Sequence, residues 1–167
     1  MPNAYEPFLR TPSELFRCVL VGVDGSAGSR RAVEWTAALA DVTGADVVVG
    51  HVLTYDREFG RDLTLDTMRT WRVELKRDLQ TLWAEPLRAA RVPYRCALIE
   101  ADSPAIGLIG LADREHANLV VIGSHGRGHF RGRVLGGISY RLAHDAHQPV
   151  MVVPELSAVP AEVAQVR

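Results

Sequence analysis

Cysteine is scarce in this chain: there are two, Cys18 and Cys96, among 167 residues. Two thiols cannot make the disulfide framework of a small secreted domain. Both sit in apolar, strand-like surroundings, so buried free thiols in a reducing compartment are expected. A surplus of one charge is missing as well. The formal net charge is −1, which leaves no global pull toward nucleic acid or an anionic membrane. No uninterrupted apolar run approaches the ~20 residues that a membrane helix needs. The first residues lack the apolar core of a signal peptide. These absences point to a soluble cytoplasmic protein, with neither membrane nor nucleic acid among its partners. Hydrophobic residues make up 47% of the chain, enough for a globular core, and the length suits one domain.

What is present alternates between two periods. Residues 1–15 carry Pro2, Pro7 and Pro12 with no sustained pattern and read as an arm open to disorder. Residues 18–23 form a short β-rich apolar run, suited to a strand covered on both faces. After the loop Asp24-Gly-Ser-Ala-Gly28, Ser29 is a fair helix cap. Val33, Trp35, Thr36, Leu39 and Ala40 then give helical spacing as far as Thr43, with Gly44 as the stop. Residues 46–53 read as a second buried strand. Leu65, Met68, Leu75, Leu79 and Leu82 trace a helix stripe within residues 61–90, which Pro86 should end or kink. Residues 92–99 read as a third strand. Ser103-Pro104 opens a helix with Ile106, Ile109 and Ala112 on its inner face. A strand over 118–122, a helix over 138–146 and a last strand over 150–153 complete the domain, taken as 16–154. The segment 155–167 reads as a tail. Strands alternating with helices imply a parallel sheet with right-handed crossovers and helices on both faces. Ligands in such sheets sit beyond the carboxyl ends of the strands, where the strand order switches.

The residues between the fourth strand and its helix are the most informative. Gly123-Ser-His-Gly126 is followed, after nine residues, by Gly136-Gly137. Arg127, Arg131, Arg133, His125 and His129 lie between them, with no Asp or Glu. Glycines admit close approach of the backbone, and a helix N-terminus adds unbonded N–H groups and partial positive charge. With three arginines this describes a phosphate site. It is neither a Walker loop, since no Gly-Lys-Ser/Thr follows, nor the Gly-x-Gly-x-x-Gly dinucleotide fingerprint. Plain tight turns and solvated loop charges are the simpler readings. Asp24, at a strand end, could hold a ribose hydroxyl or help bind a cation beside phosphates; the simpler reading is a turn aspartate bonding its own loop. His125-x3-His129 falls in a glycine loop with no Cys or carboxylate beside it, so zinc is not expected. Ser26 misses the Gly-x-Ser-x-Gly nucleophile pattern because position 24 is Asp. His51 reads as a core or pocket-wall residue.

The spacing Gly-x2-Gly-x9-Gly resembles the nucleotide loop of the universal stress protein family. So do Val21-Gly-Val-Asp-Gly-Ser26, Val48-Val-Gly-His-Val-Leu53, Val120-Val-Ile-Gly-Ser-His-Gly126 and the ending Gln148-Pro-Val-Met-Val-Val-Pro154. The resemblance implies a Rossmann-like, adenine nucleotide α-hydrolase-like three-layer sandwich with strand order 3-2-1-4-5. It implies binding of ATP or another adenine nucleotide by Val23, Asp24, Val52, Ile122, Gly123, Gly126, Arg127, Gly136, Gly137, Ile138 and Ser139. Within that set, the aspartate matching Asp24 lies in the pocket and the backbone at Val52 would meet adenine; from its place at the strand end, Asp24 is also expected to serve, indirectly, Mg²⁺ carried with the nucleotide. A homodimer through the last strand and an unidentified protein partner are also implied. One position departs from the pattern: ATP-binding members normally have Ser or Thr where this chain has Gly137. A lost hydrogen bond costs ~0.5–1.5 kcal/mol, roughly tenfold in affinity at most. Ser139 would be turned ~200° away on a helix.

Three functions follow, in order. The first is an ATP-binding stress-response module, without catalytic residues and with at most weak ATPase activity. The second is a nucleotide-free interaction module with a degenerate pocket. The third is a hydrolase or transferase acting on a phosphorylated small molecule, for which His51 or His125 would have to be the base.

Overall fold

The computed structural model of the chain describes residues 11–54, 64–126 and 136–155. Its middle strands are short runs of Val, Leu and Ile that are apolar at consecutive positions, as burial on both faces requires. Five strands, β1 (Cys18–Gly22), β2 (Asp46–Leu53), β3 (Tyr94–Glu100), β4 (Leu119–Gly123) and β5 (Val150–Val153), lie parallel in the order β3-β2-β1-β4-β5. Class and strand order are those expected. Alternate residues face opposite ways. Val19, Val21, Val47, Val49 and Val121 pack with Ala32, Val33 and Ala37 of α2 (Ala27–Thr43). Leu20, Val48, Val120 and Ile122 pack with Leu108 and Leu111 of α5 (Pro104–Arg114) and Leu142 of α6 (Gly137–Asp145). No helix among the described residues is long and apolar enough to cross a membrane.

Several local expectations change. Part of the expected arm, Pro12–Leu15, forms one helical turn, α1, and Phe16 beside it packs on the α2-side core. Ser26, not Ser29, caps α2: its hydroxyl oxygen accepts from the Ser29 N–H at 3.1 Å. Trp35 is exposed, and the inner stripe of α2 is Ala32, Val33, Thr36, Ala37 and Ala40. Gly44 closes the helix with φ 71°, as expected. In α5, capped by Ser103, the buried residues are Ala105, Gly107, Leu108, Leu111 and Ala112; Ile106 sits about 100° from Ala105 and is exposed.

The long stripe over 61–90 is not one helix. It becomes α3 (Leu65–Asp78), a π turn (Leu79–Trp83) and α4 (Glu85–Ala89). The wide turn shifts the helical phase. Leu75, Leu79 and Leu87 therefore face the core, while Leu65 and Leu82 are exposed. Pro86 lies in the first turn of α4, where a missing N–H costs nothing. Side chains of β3 hold the π turn: the Tyr94 hydroxyl donates to the Gln80 carbonyl at 3.2 Å, and the Cys96 thiol donates to that of Leu79 at 3.7 Å.

Candidate functional site

The strand order switches at β1, whose two neighbours are β2 and β4. Residues just beyond the carboxyl ends of these strands are where this architecture collects ligands. Beyond β1 stands Asp24. Its Oδ1 accepts from the Ser26 N–H at 3.0 Å and from the Ser26 hydroxyl at 2.6 Å. The turn reading of Asp24 is therefore correct for one carboxylate oxygen. The other oxygen faces β4's loop: a Cβ built on Gly126 would lie 2.5 Å from Asp24 Oδ2. A side chain at 126 would force the Asp24 carboxylate or the loop to shift. The same closeness recurs one step inward. A Cβ on Gly123 would lie 2.6 Å from the Gly28 carbonyl carbon, and one on Gly28 would lie 2.6 Å from the His125 carbonyl oxygen. The segment 123–126 is thus wedged between Asp24 and the start of α2.

The helix end expected to face phosphate is partly occupied by the protein itself. The Gly136 N–H donates to the Ser124 carbonyl at 2.8 Å. The Ser139 hydroxyl is buried and donates to the carbonyls of Gly123 (3.0 Å) and Ser124 (3.2 Å). No side chain caps α6 at Gly136. The N–H groups of Gly137 and Ile138 begin the helix, and a Cβ added at Gly137 would meet nothing within 4 Å. No described residue other than its chain and helix neighbours stands against that position, which lies where the helix dipole is positive.

The remaining expected residues divide. Val23 continues the ladder, its N–H donating to the Gly50 carbonyl at 2.9 Å. The Val23 carbonyl meets His51 Nδ1 at 2.7 Å, and the buried His51 ring stands edge-on to Trp83 at 5.0 Å. Val52 and Ile122 are buried on the α5 side of the sheet. Val52 lies where a Cβ on Gly107 would approach it to 2.6 Å. The expectation for Arg127 falls outside the described residues, as do those for Arg131, Arg133 and His129. Among the described residues no group of three or more His, Cys, Asp or Glu could hold a metal. An open trough of about 520 Å³ runs between α2 and α4, bounded by Arg30, Glu34, Asp41 and Glu85, but no strand-end residue lines it.

Sequence reasoning missed Ser124. It is buried, and its hydroxyl oxygen accepts from the Glu155 N–H at 3.2 Å and meets His125 Nδ1 at 3.1 Å. A small polar residue after a strand reads simply as loop, and no signal in the sequence marks it.

Comparison with known proteins places this geometry. The universal stress protein family matches residues 15–154. A universal stress protein of Mycolicibacterium smegmatis is 34% identical over 148 residues, covering 81% of this chain and 45% of its own length. The chain thus spans about half the length of such relatives. Among solved structures, the hypothetical protein MJ0577 superposes with TM-score 0.75 at 17% identity, over 86% of this chain and 99% of its own. A universal stress protein in complex with cAMP gives 0.61 at 23% identity (83% and 96% covered). One from Archaeoglobus fulgidus in complex with dAMP gives 0.62 at 21% (83% and 98%). The chain belongs to the universal stress protein family, with its adenine nucleotide α-hydrolase-like fold.

Proposed function

We propose that the chain binds an adenine nucleotide, ATP first, across the carboxyl ends of β1, β2 and β4. It would act in the cytoplasm as a nucleotide-dependent stress-response module, a homodimer through β5 whose occupancy a protein partner reads. The observation that carries this is the pass of Gly126 against Asp24 Oδ2, beside the N-terminus of α6. The complexes of two structural neighbours with cAMP and dAMP support the ligand class. In this reading Asp24 serves the ribose and a nucleotide-borne Mg²⁺, while the backbone near Val23 and Val52 meets the base. Ile122, Gly123, Gly126 and Arg127 flank the phosphates, and Gly136, Gly137 and Ile138 present the helix end. Ser139 acts through the loop carbonyls it holds.

Denaturing the purified protein and weighing what it releases tests this. An adenine nucleotide is expected, and Gly126→Val should abolish calorimetric ATP binding. Wild-type affinity in that variant would contradict the site. One observation favours the second reading, a nucleotide-free module of the same fold. The Gly136 N–H and the Ser139 hydroxyl are already spent on internal carbonyls, and Gly137 brings no hydroxyl. Protein that carries no nucleotide and gives no heat with ATP would establish that alternative.

A further inference from the structure

Ser124 joins three parts of the molecule: β5, the start of α6 and the chain leaving β5. Its N–H donates to the Val153 carbonyl at 2.8 Å and so extends the β4–β5 ladder. Its carbonyl receives the Gly136 N–H and the Ser139 hydroxyl, both at the start of α6. Its side-chain oxygen receives the Glu155 N–H, just past β5. On one side, therefore, it sets the helix end proposed to face phosphate. On the other, it anchors the chain leaving the edge strand.

We propose that Ser124 is a positioning residue that couples occupancy of the glycine loop to the ordering of the segment leaving β5. The inference rests on the nucleotide reading above and adds a route by which occupancy reaches the sheet edge. The route is short and tightly packed. Residue 123 and the residue 125 carbonyl both abut Gly28, and Gly126 abuts Asp24. A shift that a ligand imposes on this loop is not absorbed by slack around it, so it reaches Ser124. Close-packed regions pass on small shifts for this reason. Fixing Ser124 fixes the acceptor of the Glu155 N–H. Linkage makes the effect reciprocal: if nucleotide strengthens the Glu155 tie, the tie strengthens nucleotide binding by the same factor.

Amide hydrogen exchange with and without ATP, beside calorimetry on the same samples, tests the coupling. The variants are Ser124→Ala, which lacks the acceptor, Ser124→Thr, which keeps it, and Glu155→Pro, which deletes the donor and leaves the loop untouched. In the wild type, ATP should slow exchange at Glu155 by about threefold or more. Ser124→Ala should still bind ATP, weakened by no more than about tenfold, and lose that slowing. Ser124→Thr should recover it. Glu155→Pro should weaken ATP binding about as much as Ser124→Ala does. Equal slowing at Glu155 in Ser124→Ala would overturn the coupling. So would ATP binding in the wild type that leaves Glu155 exchange unchanged, a result that keeps the nucleotide reading. Absence of calorimetric binding in the wild type would overturn both.

Discussion

Replacing Gly126 with Ala adds one carbon atom at the tightest point of the site. That carbon would stand 2.5 Å from Asp24 Oδ2. Carbon and oxygen in ordinary contact are about 3.5 Å apart, so one partner must give by close to an ångström. The backbone of Gly126 is held from behind by the wedge of residues 123–125 against Gly28. The carboxylate is the softer partner. It can rotate only by disturbing the two bonds that Oδ1 accepts from Ser26, at 3.0 and 2.6 Å. Hydrogen bonds to a charged group are each worth ~1.5–3 kcal/mol, so weakening one should lower stability by about 1–2 kcal/mol. The same rotation moves the oxygen proposed to serve the ribose, and ATP affinity should fall about tenfold or more. Gly137→Ser is the matched counterpart. No described residue lies within 4 Å of its Cβ, so stability should change by less than about 1 kcal/mol. The new hydroxyl at the helix end should tighten ATP binding, by up to about tenfold. Urea denaturation and calorimetry read both quantities. The reasoning is refuted if Gly126→Ala leaves stability and affinity unchanged, or if Gly137→Ser weakens binding.

Other outcomes follow from the same geometry. In β5 the carbonyls of Pro149 and Val153 accept from β4, so residues 149, 151 and 153 face β4, and Val150 and Val152 face outward. Val152→Pro should therefore dissociate a β5-paired dimer and leave the fold intact, whereas Met151→Pro should unfold the chain; sedimentation showing a dimer with Val152→Pro would place the interface elsewhere. Burial pushes the Cys96 thiol up to about 11, so the folded chain holds this proton more tightly than the unfolded chain does. The stability linked to it is intact below the unfolded pKa and is lost as pH rises toward about 11; denaturation midpoints should fall less steeply in that window for Cys96→Ala than for wild type, and parallel curves would contradict the burial. Steady ATP hydrolysis should lie far below ~1 s⁻¹, because a cradle that binds ground and transition states alike gives affinity without acceleration. Turnover above that rate, lost in Asp24→Asn with binding retained, would make the protein an enzyme.

The strands were legible because their burial on both faces leaves an unbroken run of apolar residues. Asp46–Leu53 and Val150–Val153 appear where the pattern puts them, and β3 begins two residues later than expected and ends one later. Helix faces were less legible. Trp35, Ile106 and Leu65 are large and apolar yet exposed, while the face of α2 that meets the sheet is built largely from Ala, Thr and small Val. Apolar size is a poor guide to direction where a helix must lie close to a sheet. The π turn at Leu79–Trp83 carries no propensity signal and depends on hydrogen bonds that Tyr94 and Cys96 donate to its carbonyls from some 14 residues away and more. In the site, the glycines were legible as a pattern, whereas their reason, contact with Asp24, Gly28 and Ser124, is long-range. Ser124 went unseen because its role lies in partners at positions 136, 139, 153 and 155.

The central claim is that an adenine nucleotide sits at the strand ends against the start of α6. Titrating ¹⁵N-labelled protein with ATP and following each backbone amide measures this directly. The account predicts saturable shifts largest at Gly126, Gly137 and Ile138, with Ser26 moving through Asp24. Shifts centred on Arg30, Glu34 and Glu85 along the α2–α4 trough, or no shifts at millimolar ATP, would contradict it.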